Sequence, residues 1–249
     1  MEIINKTVLI TGGGSGIGFE IAKLLTTKGN KVILVGRTES KLTEAVKNIG
    51  NAVAIVGDIN NENDVKRIIA QVSSEYPELS VLINNAGRAF AYTHSENADA
   101  FSKATEEFAT NYFSLIRLTE GFLPLLKAQT EAAVVNVTSV VGYLPSASTP
   151  SYSDSKAAAH SYTLSLRHTL AQDTNIKVFE LMPPLVNTEF SKEIGGEEFG
   201  MSPVTVAEEL MEGFRTDDYE IKVGQTADLR QLYLSDPQAA FNAINQVAH

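Results

Sequence analysis

The chain has no cysteine. It therefore has no disulfides, no thiol nucleophile and no cysteine-built zinc site, which suits a reducing cytosol. It is also short of positive charge. Against 30 Asp and Glu it has 20 Lys and Arg, a formal net charge of −10. Such a surface repels phosphate backbones and anionic membranes, so nucleic-acid binding is not expected. No run approaches the roughly 18–20 apolar residues that a membrane-spanning helix needs. The opening MEIINKTVLITGG has no apolar leader and no small-residue cleavage pattern. Low-complexity tracts, internal repeats and Pro/Gly/Ser-rich linkers are missing too. The four histidines, His94, His160, His168 and His249, form no ligand pairing with a carboxylate, so no metal is expected. These absences leave a soluble, cytoplasmic protein, and 249 residues fit a single α/β domain spanning 1–249.

Short β-branched runs alternate with helical spacing. The runs are Thr7–Thr11, Lys31–Val35, Ala52–Val56, Val81–Asn84, Ala133–Thr138 and Ile176–Leu181, with Tyr219–Val223 a possible last strand. Most are apolar at successive positions, the pattern of strands buried on both faces of a parallel sheet. Between them, Ile17, Ile21, Leu24 and Leu25 keep one helix face apolar, with Gly29 as the expected end. Leu42, Val46 and Ile49 do the same before Gly50. Val65, Ile68, Ile69 and Val72 follow Asn61 or Asn63 as N-cap. Longer helices are predicted over Glu106–Lys127, bent or ended near Pro124, and over Tyr152–Gln172. The tail is helix-prone over Pro237–Val247. The alternation predicts right-handed crossovers and a doubly wound, Rossmann-type parallel sheet flanked by helices. Asn187–Pro203, polar and carrying Gly195 and Gly196, departs from it and reads as a mobile surface excursion.

Thr11–Gly18 (TGGGSGIG) lies between the first strand and the first helix. Glycines there allow a tight turn and close backbone approach, and a helix N-terminus offers N–H groups and partial positive charge to a pyrophosphate. At the end of the second strand, where an acidic residue would bind the ribose hydroxyls of NAD, stand Gly36, Arg37 and Thr38. Losing the carboxylate and gaining a guanidinium favours the 2′-phosphate of NADP, with Ser15, Thr38 and Lys41 as helpers. Arg37 also reads as a solvated loop cation. Tyr152 and Lys156, at i and i+4, share one helix face, so the phenol and the ammonium point the same way. A fixed cation of this kind stabilises a phenolate; lowering a tyrosine from about 10 by ~2–3 units takes roughly 3–4 kcal/mol.

The spacing Gly12, Gly16, Gly18 (G-x-x-x-G-x-G) resembles the short-chain dehydrogenase/reductase superfamily, and further motifs fall in its order. Asn84–Gly87 reads NNAG. Asn111 lies in TNYFSL and Ser139 in VNVTSVVG, with Tyr152 and Lys156 thirteen and seventeen residues beyond the serine. Pro183–Thr188 reads PPLVNT. The resemblance covers about residues 5–190. TVLITGGGSGIG, GNKVILVGRTESKL and MPPLVNTEF look most like a short bacterial branch that includes a reductase-like protein linked to D-alanylation of teichoic acids.

The resemblance implies interconversion of a small carbonyl compound and its alcohol, with NADPH preferred over NADH. Tyr152 would be the general acid/base and Ser139 would hold the reacting oxygen. Lys156 would also grip the nicotinamide ribose, and Asn111 would hold a water of the proton relay. Cofactor contacts would come from Thr11, Gly12, Ser15, Gly16, Ile17, Gly18, Arg37, Thr38, Asp58, Ile59, Asn85, Ala86, Gly87, Pro183, Val186 and Thr188. Tyr143 and Phe190 would line an apolar pocket, His160 would border it or hold a plain helical place, and Arg88 would greet an anionic substrate or face solvent. A homodimer or homotetramer is expected, with residues 187–203 as a substrate lid. Two departures stand out. Pro184 replaces the usual glycine after Pro183, and the family's glycine-rich C-terminal ending is missing. Other readings of the same residues are a non-catalytic dinucleotide sensor or an operon-encoded helper on this fold, and an epimerase or dehydratase of the extended branch, for whose added substrate domain 249 residues leave little room.

Overall fold

Seven short runs of mostly apolar residues assemble into one parallel sheet, in the order β3-β2-β1-β4-β5-β6-β7. A computed structural model describes residues 1–245. The strands are β1 (Thr7–Thr11), β2 (Lys31–Gly36), β3 (Ala52–Val56), β4 (Leu79–Asn84), β5 (Ala132–Val137), β6 (Ile176–Met182) and β7 (Glu220–Lys222). They match the runs read from the sequence to within two residues at each end. β1, β4 and β5 are buried at every position, the consequence of helices on both faces.

The helices are α1 (Gly16–Thr26), α2 (Glu39–Ile49), α3 (Glu62–Glu75), α4 (Ala100–Phe108), α5 (Ser114–Lys127), α6 (Pro150–Asp173), α7 (Gly196–Phe199), α8 (Pro203–Thr216), α9 (Thr226–Ser235) and α10 (Pro237–Asn245). Strand side chains alternate between two apolar layers. Val8 and Ile10 join Ile21 and Leu25 of α1, Leu42 of α2 and Phe214 of α8. Leu9 turns the other way, to Val65 and Ile68 of α3, Phe122 of α5 and Leu170 of α6. Asn61 caps α3, its side chain accepting from the Asn63 and Asp64 N–H groups, and Gly50 ends α2 with φ 91°.

Three details differ from the sequence reading. Gly29 lies beyond the end of α1, which stops at Thr26; its φ of 76° makes the return into β2. The helix expected from Glu106 begins at Ala100 and passes through one wide turn, Ala109–Phe113, before α5. Pro124 lies inside its last turn, and the helix ends shortly after it, at Lys127. The excursion at 187–203 is locally organised. A 3₁₀ segment, Glu189–Ile194, opens with a reciprocal cap between Thr188 and Ser191, α7 follows, and Val186 bridges Met201. Ser191 is buried, which a polar surface loop would not require. The expected tail helix appears as α10; Val247 and His249 lie outside the described residues. No helix among the described residues is long and apolar enough to cross a membrane.

Candidate active site

β1 and β4 are neighbours in the sheet but not in the chain, so their connections leave in opposite directions and open a crevice at their carboxyl ends. A cleft of about 620 Å³ lies there, large enough for a cofactor-sized ligand. Its floor is the strand ends, its wall the glycine loop, and its rim the 187–203 segment.

The glycine loop turns at Gly12 and Gly16, with φ of 67° and 56°, values a side chain would oppose. Ser15 stands at the N-cap of α1 but its hydroxyl makes no cap hydrogen bond. The first N–H groups of α1 are thereby left for a ligand in the cleft. These features fit a pyrophosphate. Gly36, Arg37 and Thr38 line the cleft beyond it, with Asp58, Ile59 and Asn60 next to them. One Asp58 carboxylate oxygen accepts from the Asn60 N–H at 2.9 Å in a turn just before the α3 cap. The Arg37 guanidinium makes no ion pair or hydrogen bond among the described residues. Lys41 reaches across to Glu189, Nζ to Oε2 2.6 Å.

Of the expected contacts, Gly12, Ser15, Gly16, Ile17, Arg37, Thr38, Asp58, Ile59, Asn85, Ala86, Gly87, Ser139, Tyr152, Lys156, Pro183, Val186 and Thr188 all line this cleft. Thr11, Gly18 and Asn111 do not. The Thr11 hydroxyl accepts from the Asn85 and Ala86 N–H groups, both at 3.0 Å, so it holds the NNAG turn against β1. Gly18 is a packing glycine: a Cβ there would stand 2.5 Å from the Asn85 amide nitrogen. Asn111 sits in the wide helical turn, a deformation common at functional sites. Its oxygen accepts from the Arg88 N–H at 2.8 Å, and its amide donates to the Arg88 carbonyl at 2.8 Å and to Ser155 Oγ at 2.9 Å. It pins the chain after NNAG to α6.

Tyr152, Lys156 and His160 form one row along α6, facing the ends of β5 and β6. The Tyr152 ring packs near Phe190, centroids 5.9 Å apart. Burial raises its phenol well above the ordinary value; the Ser139 hydroxyl beside it opposes this and the Glu107 carboxylate adds to it. The phenol is thus protonated at neutral pH. Burial, not the ammonium, sets the direction of the shift, with Lys156 Nζ 5.6 Å from the ring centre. Lys156 donates to the Val137 carbonyl at 2.7 Å, and burial brings it down to about 8, opposed by the Glu180 charge.

His160 is the part of this row that sequence reasoning left undecided. Its Nδ1 lies 2.9 Å from Oε1 of Glu180, a fully buried carboxylate that also accepts from Thr138 Oγ1 at 2.6 Å. The hydrogen bond to Glu180 raises the histidine, with Glu180 and Glu220 charges adding and burial and Arg230 opposing. Because the folded value lies above the unfolded one, the stabilisation is complete below about pH 6.5 and is lost as pH rises through the folded value. His160→Gln should therefore unfold about 1–2 kcal/mol more easily than wild type at pH 6, and the gap should close as pH rises through the raised folded value. Urea titrations at several pH values measure it; a gap independent of pH would mean that the imidazole is not charged against Glu180.

Two other expectations change. Arg88 does not line the cleft; it pairs with Glu106 at 2.8 Å and stacks over Phe90. Tyr143 is also outside it, packed under Arg230 with its hydroxyl on the Thr226 carbonyl at 3.3 Å. Phe190 does line the cleft, as do Ser146, Ser148, Leu229, Ala243 and Ile244, which no motif marked. Glu107 carried no signal either. It is buried beside the row, accepting from the Phe90 N–H at 2.7 Å and from Ser151.

A doubly wound sheet with a glycine loop at its switch point and a Ser–Tyr–Lys group at its carboxyl edge defines a nucleotide-binding oxidoreductase. The chain belongs to the short chain dehydrogenase family, whose model matches residues 6–198, and it is an NAD(P)-dependent enzyme of that family. It is 34% identical over 249 residues, 98% of each chain, to the uncharacterized oxidoreductase DltE of Bacillus subtilis (strain 168). It is 33% identical over 192 residues to sulfoacetaldehyde reductase 2 of Chromohalobacter salexigens, covering 76% of this chain and 75% of that one. A short chain dehydrogenase of Burkholderia cenocepacia J2315, solved with NADP, is 25% identical and superposes with a TM-score of 0.86 over 98% of this chain and 99% of its own. A short chain dehydrogenase/reductase of Burkholderia phymatum, solved with NAD, is similar in fold, with a TM-score of 0.88 over 100% of both chains at 21% identity.

Proposed function

We propose that the protein interconverts a carbonyl compound and its alcohol, with NADPH preferred over NADH and Tyr152 as the proton donor in reduction. The observation that carries this reading is that Tyr152, half-buried, Ser139 and Lys156 line one cleft together, with the Lys156 ammonium one turn along α6 from the phenol. The cofactor supplies the hydride. The glycine loop and the start of α1 hold its pyrophosphate, Asp58 and Ile59 its adenine end, and Arg37 its 2′-phosphate. Pro183, Val186 and Thr188 lie where the nicotinamide amide would be held. Ser139 donates to the reacting oxygen while Tyr152 delivers its proton to that atom, so negative charge never accumulates there. Lys156 keeps a cation beneath both. Asn111 acts through Ser155 and the Arg88 backbone as a positioning residue. A pure cofactor sensor would need neither Ser139 nor the Tyr152 hydroxyl in register with Lys156, which favours an enzyme.

A panel of aldehydes and ketones assayed with NADPH and with NADH, following reduced-nicotinamide absorbance, tests the reading. Turnover of none of them would retire it.

The 187–203 segment acts as a lid in this scheme. Thr188 and Glu189 line the cleft, and the Lys41–Glu189 pair ties the rim to the ribose end. NADPH should slow amide hydrogen exchange across 187–203 by about tenfold or more, since ordering a rim over ligand suppresses local opening. Equal exchange with and without NADPH would mean that the segment is a fixed wall.

A further inference from the structure

The charged side chains lining the cleft are unevenly placed. Arg37, Lys41, Asp58 and Glu189 lie at the ribose and adenine end; the remaining one is Lys156, committed to the Val137 carbonyl. Past Tyr152 the apolar lining is Val141, Leu185, Phe190, Ile194, Leu229 and Ile244, and the polar groups among them, Gln225, Ser146 and Ser148, are uncharged. Neither Arg230 nor Arg88 is among the residues that line the cleft. Arg230 is stacked on Tyr143 and Tyr233, 4.8 and 5.8 Å from their ring centres, and Arg88 is paired with Glu106.

The far wall comes from the C-terminal helices. Leu229 belongs to α9 and Ile244 to α10, and Asn245 fastens α10 to the loop before α6. Its Oδ1 accepts from the Ala147 N–H at 2.6 Å and its Nδ2 donates to the Pro145 carbonyl at 3.0 Å. Ser146 and Ser148, on that same loop, bond to each other at 2.9 Å and line the cleft as neutral hydroxyls. The wall is therefore held in place, mostly apolar, and without a charged side chain among the described residues.

We infer that the substrate is an uncharged carbonyl compound with an apolar tail, and that the tail lies against Leu229 and Ile244. This rests on the carbonyl-reductase reading above and adds the substrate class to it. A carboxylate or sulfonate at the end of the tail would be taken out of water with no cation to receive it, whereas each methylene gains from leaving water. The C-terminal helices thus set specificity, a role that the glycine loop and the Ser–Tyr–Lys group do not have.

The test uses the whole protein with NADPH and two arms. In the first, kcat/KM is measured for butanal, hexanal and octanal, and for sulfoacetaldehyde and succinic semialdehyde as anionic probes. In the second, calorimetry measures hexanamide and hexanoate binding to the protein saturated with NADP. The expected result is a rise of about three- to fourfold in kcat/KM per added methylene until the wall is covered, with both anions at least about tenfold below butanal. Hexanamide should bind and hexanoate should not. Leu229→Arg, with an unchanged unfolding midpoint, should reverse both preferences; Ile244→Arg serves if that variant does not fold.

Anionic aldehydes preferred over neutral ones, or kcat/KM flat with chain length, would overturn the inference and leave the reductase reading standing. Hexanamide binding that Leu229→Arg abolishes, with no aldehyde reduced, would keep the pocket chemistry and overturn the reductase reading. Neither turnover nor hexanamide binding would overturn both.

Discussion

Tyr152→Phe should lower turnover by about 10²- to 10⁴-fold while NADPH affinity stays within about twofold of wild type. The ring still packs beside Phe190 and only the exchangeable proton is lost. Lys156→Met should damage both quantities, because the ammonium both faces the phenol and lies in the cleft where the ribose would sit. Single-turnover rates and cofactor titrations on the two variants separate these outcomes. A Tyr152→Phe enzyme that keeps most of its rate would remove the tyrosine from the chemistry. The pH profile provides a second check. With Lys156 held down to about 8 by burial, its charge is lost as pH rises through that value. The kcat/KM for NADPH, which reports the free enzyme, should therefore fall above about pH 8.

Arg37→Ala should weaken NADPH by roughly tenfold to 150-fold and leave NADH almost unchanged. The guanidinium lines the cleft without a hydrogen-bond or ion-pair partner among the described residues, so the loss on its removal reads the 2′-phosphate. Gly36→Asp should do the converse, favouring NADH through the ribose hydroxyls and penalising NADPH by repulsion. The backbone at Gly36 accepts a side chain: its φ is not positive, and a Cβ would meet Leu42 at 3.4 Å, an ordinary contact. Calorimetry of both cofactors against the three proteins measures this. Equal losses for NADH and NADPH in Arg37→Ala would mean that the arginine supports its loop, and the NADPH preference would fall.

The strands were legible because burial on both faces leaves continuous apolar runs, and the ends of β1 and β3 could be read to the residue. The glycine loop was legible because tight turns and a phosphate cradle demand glycines at particular places. Thr11 and Gly18 read as cofactor contacts and Asn111 as a relay residue, but none of the three lines the cleft, and they brace the NNAG turn and α6 beneath it. Motif spacing cannot separate a residue that touches a ligand from one that supports its neighbour. The 187–203 segment read as a mobile surface excursion, and its local order was not legible because two glycines and many charges conceal a cap between Thr188 and Ser191 and the bridge from Val186 to Met201.

By itself the sequence determined the strand and helix pattern, the phosphate-binding turn and the pairing of Tyr152 with Lys156, since each depends on residues within one turn or one strand–turn–helix unit. The tertiary structure alone decided three further things. It put Glu180 against His160, 20 residues away, beside Tyr152 and Lys156. It sent Arg88 to Glu106 instead of to the cleft. It also brought Leu229 and Ile244 to the cleft opened by a loop at Gly12. Contacts across such separations depend on how the sheet twists and where its helices dock, and no local pattern of residues encodes that.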